Sequence, residues 1–282
     1  MSNLAKIVLS DAQLPDEPLI RALLVDLEQT YPGAAEWLDR TLTQLWSGLA
    51  HATLAWQEGR LVGLLIDKPK AAGRRKLSTV YVSPEATGQG IFRALLDQAQ
   101  RRWWMAKLGE VYVTVRIPRA DALVAALTIH GFVAGPVVTD RYGPDTYERV
   151  FVWRPHYREA LFSLWPIYAE ALWRGEKRYE FRRTHVSLQS GDRVLVYETR
   201  PISAITGEFL VGGVFYEAVP NLRKITGAGG GPGLDEYLAA VEWASAIRVV
   251  APIKYPNPRP LSEFGLAHPP LSYQFLGKTK KD

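Results

Sequence analysis

The sequence predicts an α/β domain followed by an α+β domain. In the first half, a β-rich run passes through a glycine-bearing turn into a helical pattern between Tyr81 and Leu96. Strand and helix patterns flank this stretch on both sides, as in an α/β layer structure. The pattern then breaks at residues 154–157, which read Arg-Pro-His-Tyr. We therefore divide the chain into domains at 1–154 and 155–282.

Composition indicates a globular protein large enough for two domains. The chain has 282 residues, of which 47% are hydrophobic and 22% charged, and such a length can bury a substantial core. It contains no apolar run that could span a bilayer. The N-terminal residues lack the basic and then apolar pattern of a secretory signal. We therefore expect a cytoplasmic protein that does not associate with membranes.

Cysteine and histidine usage limits the possible chemistry. The absence of cysteine excludes disulfides, thiolate nucleophiles and cysteine-ligated zinc. The five histidines show no H-x-x-x-H spacing, so we expect no metal site. A net charge of +5 permits a nucleic-acid partner without requiring one. The sequence leaves the oligomeric state open.

The chain before the glycine turn predicts a strand, two helices and a hairpin. Residues 5–9 form a short apolar strand, and an acidic, proline-containing start at Asp16 opens a helix to Glu28. A second helix is predicted over 34–49. Its leucine stripe suits a core face or a lid over a substrate. Strands at 52–56 and 61–67 are joined by a turn containing Gly59. The stripe consists of Leu38, Leu42, Leu45 and Leu49.

The glycine turn itself has the features of an anion site. Gly88 and Gly90 precede the helical pattern and would let the backbone approach a ligand closely. The first turn of a helix leaves N–H groups without intrahelical partners, and the helix dipole adds positive character. Arg93 would stand in that turn as a second contact. Glycines also serve strand-to-helix turns for geometry alone, and the two readings remain open here.

The wider motif resembles a known cofactor loop. Residues 82–96 read V-x-P-x-x-x-G-x-G-I-x-x-A-L-L, which is similar to motif A of the GNAT acetyltransferases. The resemblance implies acetyl-coenzyme A as cofactor, with the Val82 backbone meeting the pantetheine arm. Glu85 stands where the family usually has Gln or Arg. The residues implied to surround the pyrophosphate are Glu85, Ala86, Thr87, Gly88, Gln89, Gly90, Ile91, Phe92 and Arg93.

The rest of the first half predicts strands at 111–115 and 146–153 around a helix at 120–129. GNAT proteins often carry a tyrosine four residues before the glycine that follows this helix, and it serves as general acid. Leu127 occupies that position here. Tyr142 in the next loop is our candidate acid, unless it is an ordinary loop aromatic. Asp140, Asp145 or a chain of waters would supply the base.

The second half contains a polar cluster with aromatic neighbours. A helix is predicted over 165–173 and a strand over 179–182, with Lys177, Glu180 and Arg182 close together in sequence. From the residue types alone, this cluster is either a solvated charged strand or a polyanion site. A Gly-Asp turn at 191–192 then opens a hydrophobic strand at 193–197.

These residues resemble the ASCH domain. The pattern G-x-K-x-x-E-x-R at 175–182 and the Gly-Asp turn are similar to that family, and the likeness continues over 158–276. It implies a PUA-like β-barrel associated with RNA. The implied cleft contains Lys177, Glu180 and Arg182, with Tyr197, Ser272 and Tyr273 nearby. The full predicted fold class is an α/β GNAT fold followed by an α+β domain with a PUA-like β-barrel.

Together the two halves suggest an acetyl-coenzyme A-dependent N-acetyltransferase acting on RNA, a nucleotide-like molecule or a translation-associated amine, with the ASCH half binding nucleic acid. Three alternatives stand beside it. The protein could acetylate small-molecule or protein amines, or bind RNA with a degenerate GNAT half. The ASCH half could also be an amidohydrolase that releases acetate from acetylated cytidine and depends on Lys177. The ASCH proteins that deacetylate N4-acetylcytidine use a threonine nucleophile, at the position that Glu180 occupies here. The glycine-rich loop 227–233 is either a flexible insertion or a flap over a substrate.

Overall fold

The structure is a computed structural model that describes residues 6–27, 33–71, 73–117, 121–140, 145–227 and 229–277. The chain forms two compact units. Unit 1 comprises Met1–Ala120 and Ala134–Val152, and unit 2 comprises Asp121–Val133 and Trp153–Asp282. Unit 2 therefore includes the helix 121–129, which the sequence places in the first domain.

Unit 1 is built on a seven-stranded sheet. Its strands run in the order β1-β2-β3-β4-β5-β7-β6, and three described helices accompany them. The strands are β1 (Ile7–Asp11), β2 (His51–Gln57), β3 (Arg60–Pro69), β4 (Arg74–Val82), β5 (Glu110–Arg116), β6 (Val133–Thr139) and β7 (Tyr147–Trp153). The helices are α1 (Glu17–Leu23), α2 (Ala34–Trp46) and α3 (Ile91–Met105).

The leucine stripe of α2 is part of the core of unit 1. Leu38, Leu42 and Leu45 are buried in one cluster with residues of α1, β2 and β3, as helical spacing on one face requires. The helix ends at Trp46 rather than at residue 49. Leu49 therefore lies outside the helix, and it is exposed.

Helix α3 packs closely on strand β3 because β3 carries a glycine at the contact. A Cβ at Gly63 would lie 2.9 Å from Ile91 Cγ2 and 3.0 Å from the Tyr81 carbonyl oxygen. Ile91 is the first residue of α3 and is buried. The missing side chain at Gly63 thus fixes how near the start of α3 comes to the sheet.

Strands β4 and β5 are parallel and separate after a short paired stretch. Their described pairing covers Arg74 with Glu110, Arg75 with Val111 and Lys76 with Tyr112. On its other side β4 remains paired with β3 as far as Val82. The backbone of residues 77–82 therefore has hydrogen-bonding groups available on the side that faces away from β3.

Unit 2 combines a six-stranded sheet with four described helices. The strand order is β13-β8-β10-β11-β12-β9. The strands are β8 (Glu159–Leu164), β9 (Tyr179–Arg182), β10 (Arg193–Glu198), β11 (Ala204–Ala218), β12 (Trp243–Arg259) and β13 (Tyr273–Leu276). The helices are α4 (Asp121–Ile129), α5 (Pro166–Trp173), α6 (Val219–Thr226) and α7 (Leu234–Leu238).

The sequence predicts a PUA-like β-barrel for unit 2, but a closed barrel is not shown, because this sheet is open. Strands β9 and β13 lie at its two edges, and no pairing between them is found among the described residues. Each has four residues, which pair with β12 and β8 respectively. A side chain joins the edges instead: Arg182 Nη1 of β9 donates to Ser272 Oγ at 2.9 Å. Closure would require the two backbones to come within ladder distance, about 4.8 Å.

Two general features of the described residues bear on function. No described helix has the length and apolar character needed to cross a lipid bilayer. In the same part of the chain, no group of three or more histidine, aspartate or glutamate side chains is arranged to hold a metal ion.

Candidate functional sites

The glycine turn of unit 1 adopts the geometry that its sequence predicts. A short 3₁₀ turn, Pro84–Ala86, follows β4, and α3 begins after Gly90. Gly88 and Gly90 have φ values of 81° and 84°, in the left-handed region that favours glycine. A Cβ at either position would meet nothing within 4 Å, so the space beside both glycines is open.

Several backbone donors of this turn are available to a ligand. The N–H groups of Ala86, Thr87 and Gln89 are taken by carbonyl groups of the turn itself. Five other residues of the turn and of the first turn of α3 have backbone N–H groups that donate to no acceptor among the described residues. Such donors at the start of a helix, together with its dipole, attract anions. The five residues are Gly88, Gly90, Ile91, Phe92 and Arg93.

Side chains of the turn hold its shape. Gln57 Nε2 of β2 donates to Gln89 Oε1 at 2.9 Å, and Gln89 Nε2 donates to the Glu85 carbonyl at 3.1 Å. A hydrogen bond from its own backbone N–H lowers the pKa of the exposed Glu85 carboxyl. Ala86 is buried. The sequence pattern does not reveal the contribution of Gln57, because it lies on a distant strand.

In unit 2, the predicted polar cluster is a buried chain of charges. Lys177 Nζ lies 3.1 Å from Glu180 Oε2, and Glu180 Oε1 lies 3.0 Å from Arg182 Nη2. The three side chains are 7%, 5% and 10% exposed respectively. The cluster is therefore not a solvated charged strand. Two cations against one carboxylate leave one positive charge in excess, where burial strengthens electrostatic interactions.

A cavity of about 450 Å³ lies over these charges. Lys177, Glu180, Arg182 and Ser272 line it, and Trp165 and Tyr168 stack with ring centroids 6.4 Å apart at its wall. The glycine-rich loop closes one side, where the Gly230 carbonyl accepts from Lys177 Nζ at 3.3 Å. We call this cavity the charged cleft. Its size and its mixture of aromatic and charged walls are those of a ligand site.

Comparison with known proteins accounts for both halves. Residues 19–132 match the acetyltransferase (GNAT) family. The N-terminal part contains a GNAT acetyltransferase domain. The C-terminal part has ASCH homology: the chain is 40% identical over 53 residues to an ASCH domain-containing ribonuclease of Zymomonas mobilis subsp. mobilis. That match covers 19% of this chain and 36% of the ribonuclease, so the chain spans about a third of that relative's length.

Solved structures are similar to each half. A protein described as a GNAT-family acetyltransferase, from Desulfovibrio desulfuricans, aligns with 18% identity and a TM-score of 0.46, covering 53% of this chain and 99% of that one. The ASCH protein of Zymomonas mobilis aligns with 28% identity and a TM-score of 0.38, covering 43% of this chain and 88% of that one.

The predicted catalytic residues of the GNAT domain lie in the connection between β6 and β7. Asp140 is exposed, and its Oδ1 accepts from the backbone N–H of Asp145 at 2.8 Å. This contact gives Asp140 a structural role in the loop. Tyr142 lies outside the described residues. Leu127, at the family's tyrosine position, is fully buried in α4 and supplies no proton.

A buried carboxylate on β7 has no sequence motif that predicts it. Glu148 is 6% exposed, and its Oε2 has no hydrogen-bond partner among the described residues. Strand β7 is the neighbour of β5 in the sheet. The Ile117 N–H, just after β5, donates to the Tyr147 carbonyl at 2.8 Å. Glu148 therefore lies near the end of β5, beyond the stretch where β5 pairs with β4.

Two predicted residues of the charged cleft do not line it. Tyr197 is buried with Leu161, Leu195 and Ile205 in a separate cluster, because alternate residues of β10 face opposite sides of the sheet. Tyr273 packs on Phe162, with ring centroids 5.2 Å apart. It therefore supports the ring over which the Arg182 guanidinium lies and does not reach the cavity.

Proposed function

We propose that this protein is an N-acetyltransferase that takes its acetyl group from acetyl-coenzyme A. The observation that carries the proposal is the set of five available N–H groups at the start of α3, next to the open side of β4. The turn would hold the pyrophosphate, and the free backbone of residues 77–82 would hold the pantetheine arm. Both parts of the cofactor are then bound mainly by backbone groups.

In the proposed reaction, an amine nitrogen attacks the thioester carbonyl. A C–N bond forms, the C–S bond breaks, and coenzyme A leaves as a thiolate. A free N–H of β4 would stabilise the developing oxyanion. The amine loses one proton, for which Asp140 and Glu148 are the candidate acceptors. The thiolate gains one proton, and Tyr142 is the candidate donor.

For the acceptor, we propose RNA, a nucleotide-like molecule or an amine associated with translation. The excess positive charge of the charged cleft favours a phosphate, which Lys177 and Arg182 would hold. Trp165 and Tyr168 offer a surface for stacking an unpaired base. The matched relative is named a ribonuclease, which supports RNA as the ligand of the ASCH half.

The cofactor proposal is tested by titrating the full-length protein with acetyl-coenzyme A in a calorimeter. We compare Gly90→Glu with Gly90→Gln, which place similar bulk and similar left-handed strain at the same position. Only the glutamate adds negative charge beside the pyrophosphate. We expect Gly90→Glu to bind at least about tenfold more weakly than Gly90→Gln. No binding by the wild type, or equal binding by both variants, would contradict the proposed site.

The identity of the catalytic base is tested by measuring how fast the coenzyme A thiol is released from acetyl-coenzyme A in the presence of a mixture of amines. Loss of the base should lower kcat by about 100-fold or more at unchanged acetyl-coenzyme A affinity. Asp140→Asn and Glu148→Gln are the paired variants, since each replaces a carboxylate by a neutral amide of similar size. If both variants keep full turnover, neither residue is the base.

A further inference from the structure

Unit 2 contains a second cavity, of about 590 Å³. It uses a different face of α5 from the charged cleft. Ile167, Glu170 and Arg174 line the second cavity, whereas Trp165 and Tyr168 line the charged cleft. The named residues of the glycine-turn motif and of the G-x-K-x-x-E-x-R pattern do not line this second cavity, and the proposed acetyl transfer does not use it. Its volume is in the range of small-molecule sites.

Glu198, in the wall of this cavity, is a buried carboxylate without a cation. It is 7% exposed, and its Oε1 accepts from Trp173 Nε1 at 3.3 Å. Among the described residues of unit 2, the other three buried carboxylates each pair with an arginine: Glu180 with Arg182, Asp192 with Arg158, and Glu208 with Arg193. No described cationic side chain forms an ion pair with Glu198. A buried charge without a partner is costly unless a ligand compensates it.

Thr206 presents a second polar group to the same cavity. It is 4% exposed, and its Oγ1 has no hydrogen-bond partner among the described residues. Glu198 of β10 pairs with Ala204 of β11, and Thr206 lies two residues further along β11. The ladder between the two strands shifts register here, with Val196 opposite Gly207 and Tyr197 opposite Ile205, so Thr206 is the extra residue of a β-bulge. Both Glu198 and Thr206 line the cavity.

The cationic residues at the cavity are already neutralised. Lys254 Nζ donates to Glu170 Oε2 at 2.9 Å, and Arg174 Nε donates to Glu170 Oε1 at 3.1 Å. Glu176 lies 4.0 Å from Arg174. Three carboxylates against two cations leave one negative charge in excess, and Glu198 is the one without a cation. Ile167 and Ile202 add apolar walls.

We propose that this cavity binds a small organic cation. One ammonium or guanidinium group would pair with Glu198 and donate a hydrogen bond to Thr206 Oγ1. A short apolar body would lie between Ile167 and Ile202. Lys254 and Arg174 already engage Glu170 and Glu176. The carboxylate and hydroxyl that remain supply too few oxygens for calcium or magnesium, whereas they match the donors of a single organic cation.

The proposal is tested by calorimetry on the full-length protein with n-butylamine, putrescine and agmatine as probes. 1-Butanol serves as the neutral probe of equal length. We expect at least one of the cations to bind and the alcohol not to bind. Glu198→Gln keeps the side-chain size and an oxygen acceptor for Trp173, and it should weaken cation binding at least about tenfold. Glu236→Gln removes the same charge from an exposed position outside the cavity and should leave binding unchanged.

Thr206→Val separates ligand binding from folding. The valine has nearly the same shape, and the hydroxyl that it removes has no partner to lose, so the midpoint of thermal unfolding should stay equal or rise. Cation affinity should nevertheless fall. The proposal is overturned if none of the three cations binds, if 1-butanol binds as well as n-butylamine, or if Glu198→Gln binds the cations as the wild type does.

Discussion

At the residue scale, burial lowers the affinity of the Lys68 amine for its proton. Its Nζ, near the end of β3, donates to Thr41 Oγ1 at 2.6 Å and lies 5.2 Å from the centre of the Trp37 ring. Burial lowers the pKa of Lys68 to about 8, and repulsion from Lys70 and other cations adds to the shift. The folded protein therefore holds this proton less tightly than the unfolded chain does.

The shift predicts a pH dependence of stability. Between about pH 8 and the unfolded pKa, about 10.4, the unfolded chain binds more protons at Lys68, so this group makes the protein more stable as the pH rises. Below pH 8 the cost of charging the buried amine is fully present. We expect Lys68→Met to raise the midpoint of thermal unfolding at pH 7 and to flatten its rise from pH 8 to 10. Lys224→Met, at an exposed position, should do neither.

At the scale of elements, the contact between β3 and α3 links packing to the cofactor turn. Gly63 allows the start of α3 to lie against the sheet, with Ile91 as its first contact. The available N–H groups lie in the same first turn of α3. Any shift of the start of α3 would therefore move the donors that we assign to the pyrophosphate.

We expect Gly63→Ala to destabilise the protein by about 1–3 kcal/mol, because overpacking forces neighbouring atoms to shift. It should also weaken acetyl-coenzyme A binding. Urea unfolding of Gly63→Ala, Ile91→Ala and the double variant measures the coupling. The double variant should lose less stability than the sum of the two, since Ile91→Ala removes the nearer clash. Gly109→Ala is the control, because its Cβ would meet the nearest atom at an ordinary 3.6 Å. If the losses of stability in the two single variants add up to the loss in the double variant, the proposed contact between residues 63 and 91 is refuted.

Local patterns predicted the elements that depend on local chemistry. The order strand, glycine turn and helix at residues 81–96 follows from residue spacing, and so does the leucine stripe of α2. The open edges of the second sheet could not be predicted, because strand order depends on contacts distant in sequence. Tyr197 was predicted near the cleft but lies in a separate cluster. The reason is related: alternation along β10 separates two faces without showing which one lines the cleft.

The burial of single polar groups was equally beyond the sequence. Glu148, Glu198 and Thr206 have no motif around them, and only the packing of neighbouring elements buries them. Among the described residues, that packing leaves Glu148 Oε2 and Thr206 Oγ1 without a hydrogen-bond partner and Glu198 without a cation. The Lys177, Glu180 and Arg182 cluster was found because its residues lie within one short pattern. The sequence therefore identified sites carried by contiguous residues and missed those assembled from separate strands.

At the scale of the whole molecule, the proposed function assigns one ligand to each unit, and two variants test that assignment together. Gly90→Glu should weaken acetyl-coenzyme A binding and leave RNA affinity unchanged. Lys177→Met should lower the affinity for a fluorescein-labelled single-stranded RNA at least about tenfold, with a shallower salt dependence, since it removes a phosphate contact. It should leave cofactor binding intact. Calorimetry and fluorescence anisotropy at several salt concentrations provide the two readouts, and the retained ligand shows that the unit without the substitution is intact. If Lys177→Met binds RNA as tightly as the wild type, the charged cleft is not the RNA site.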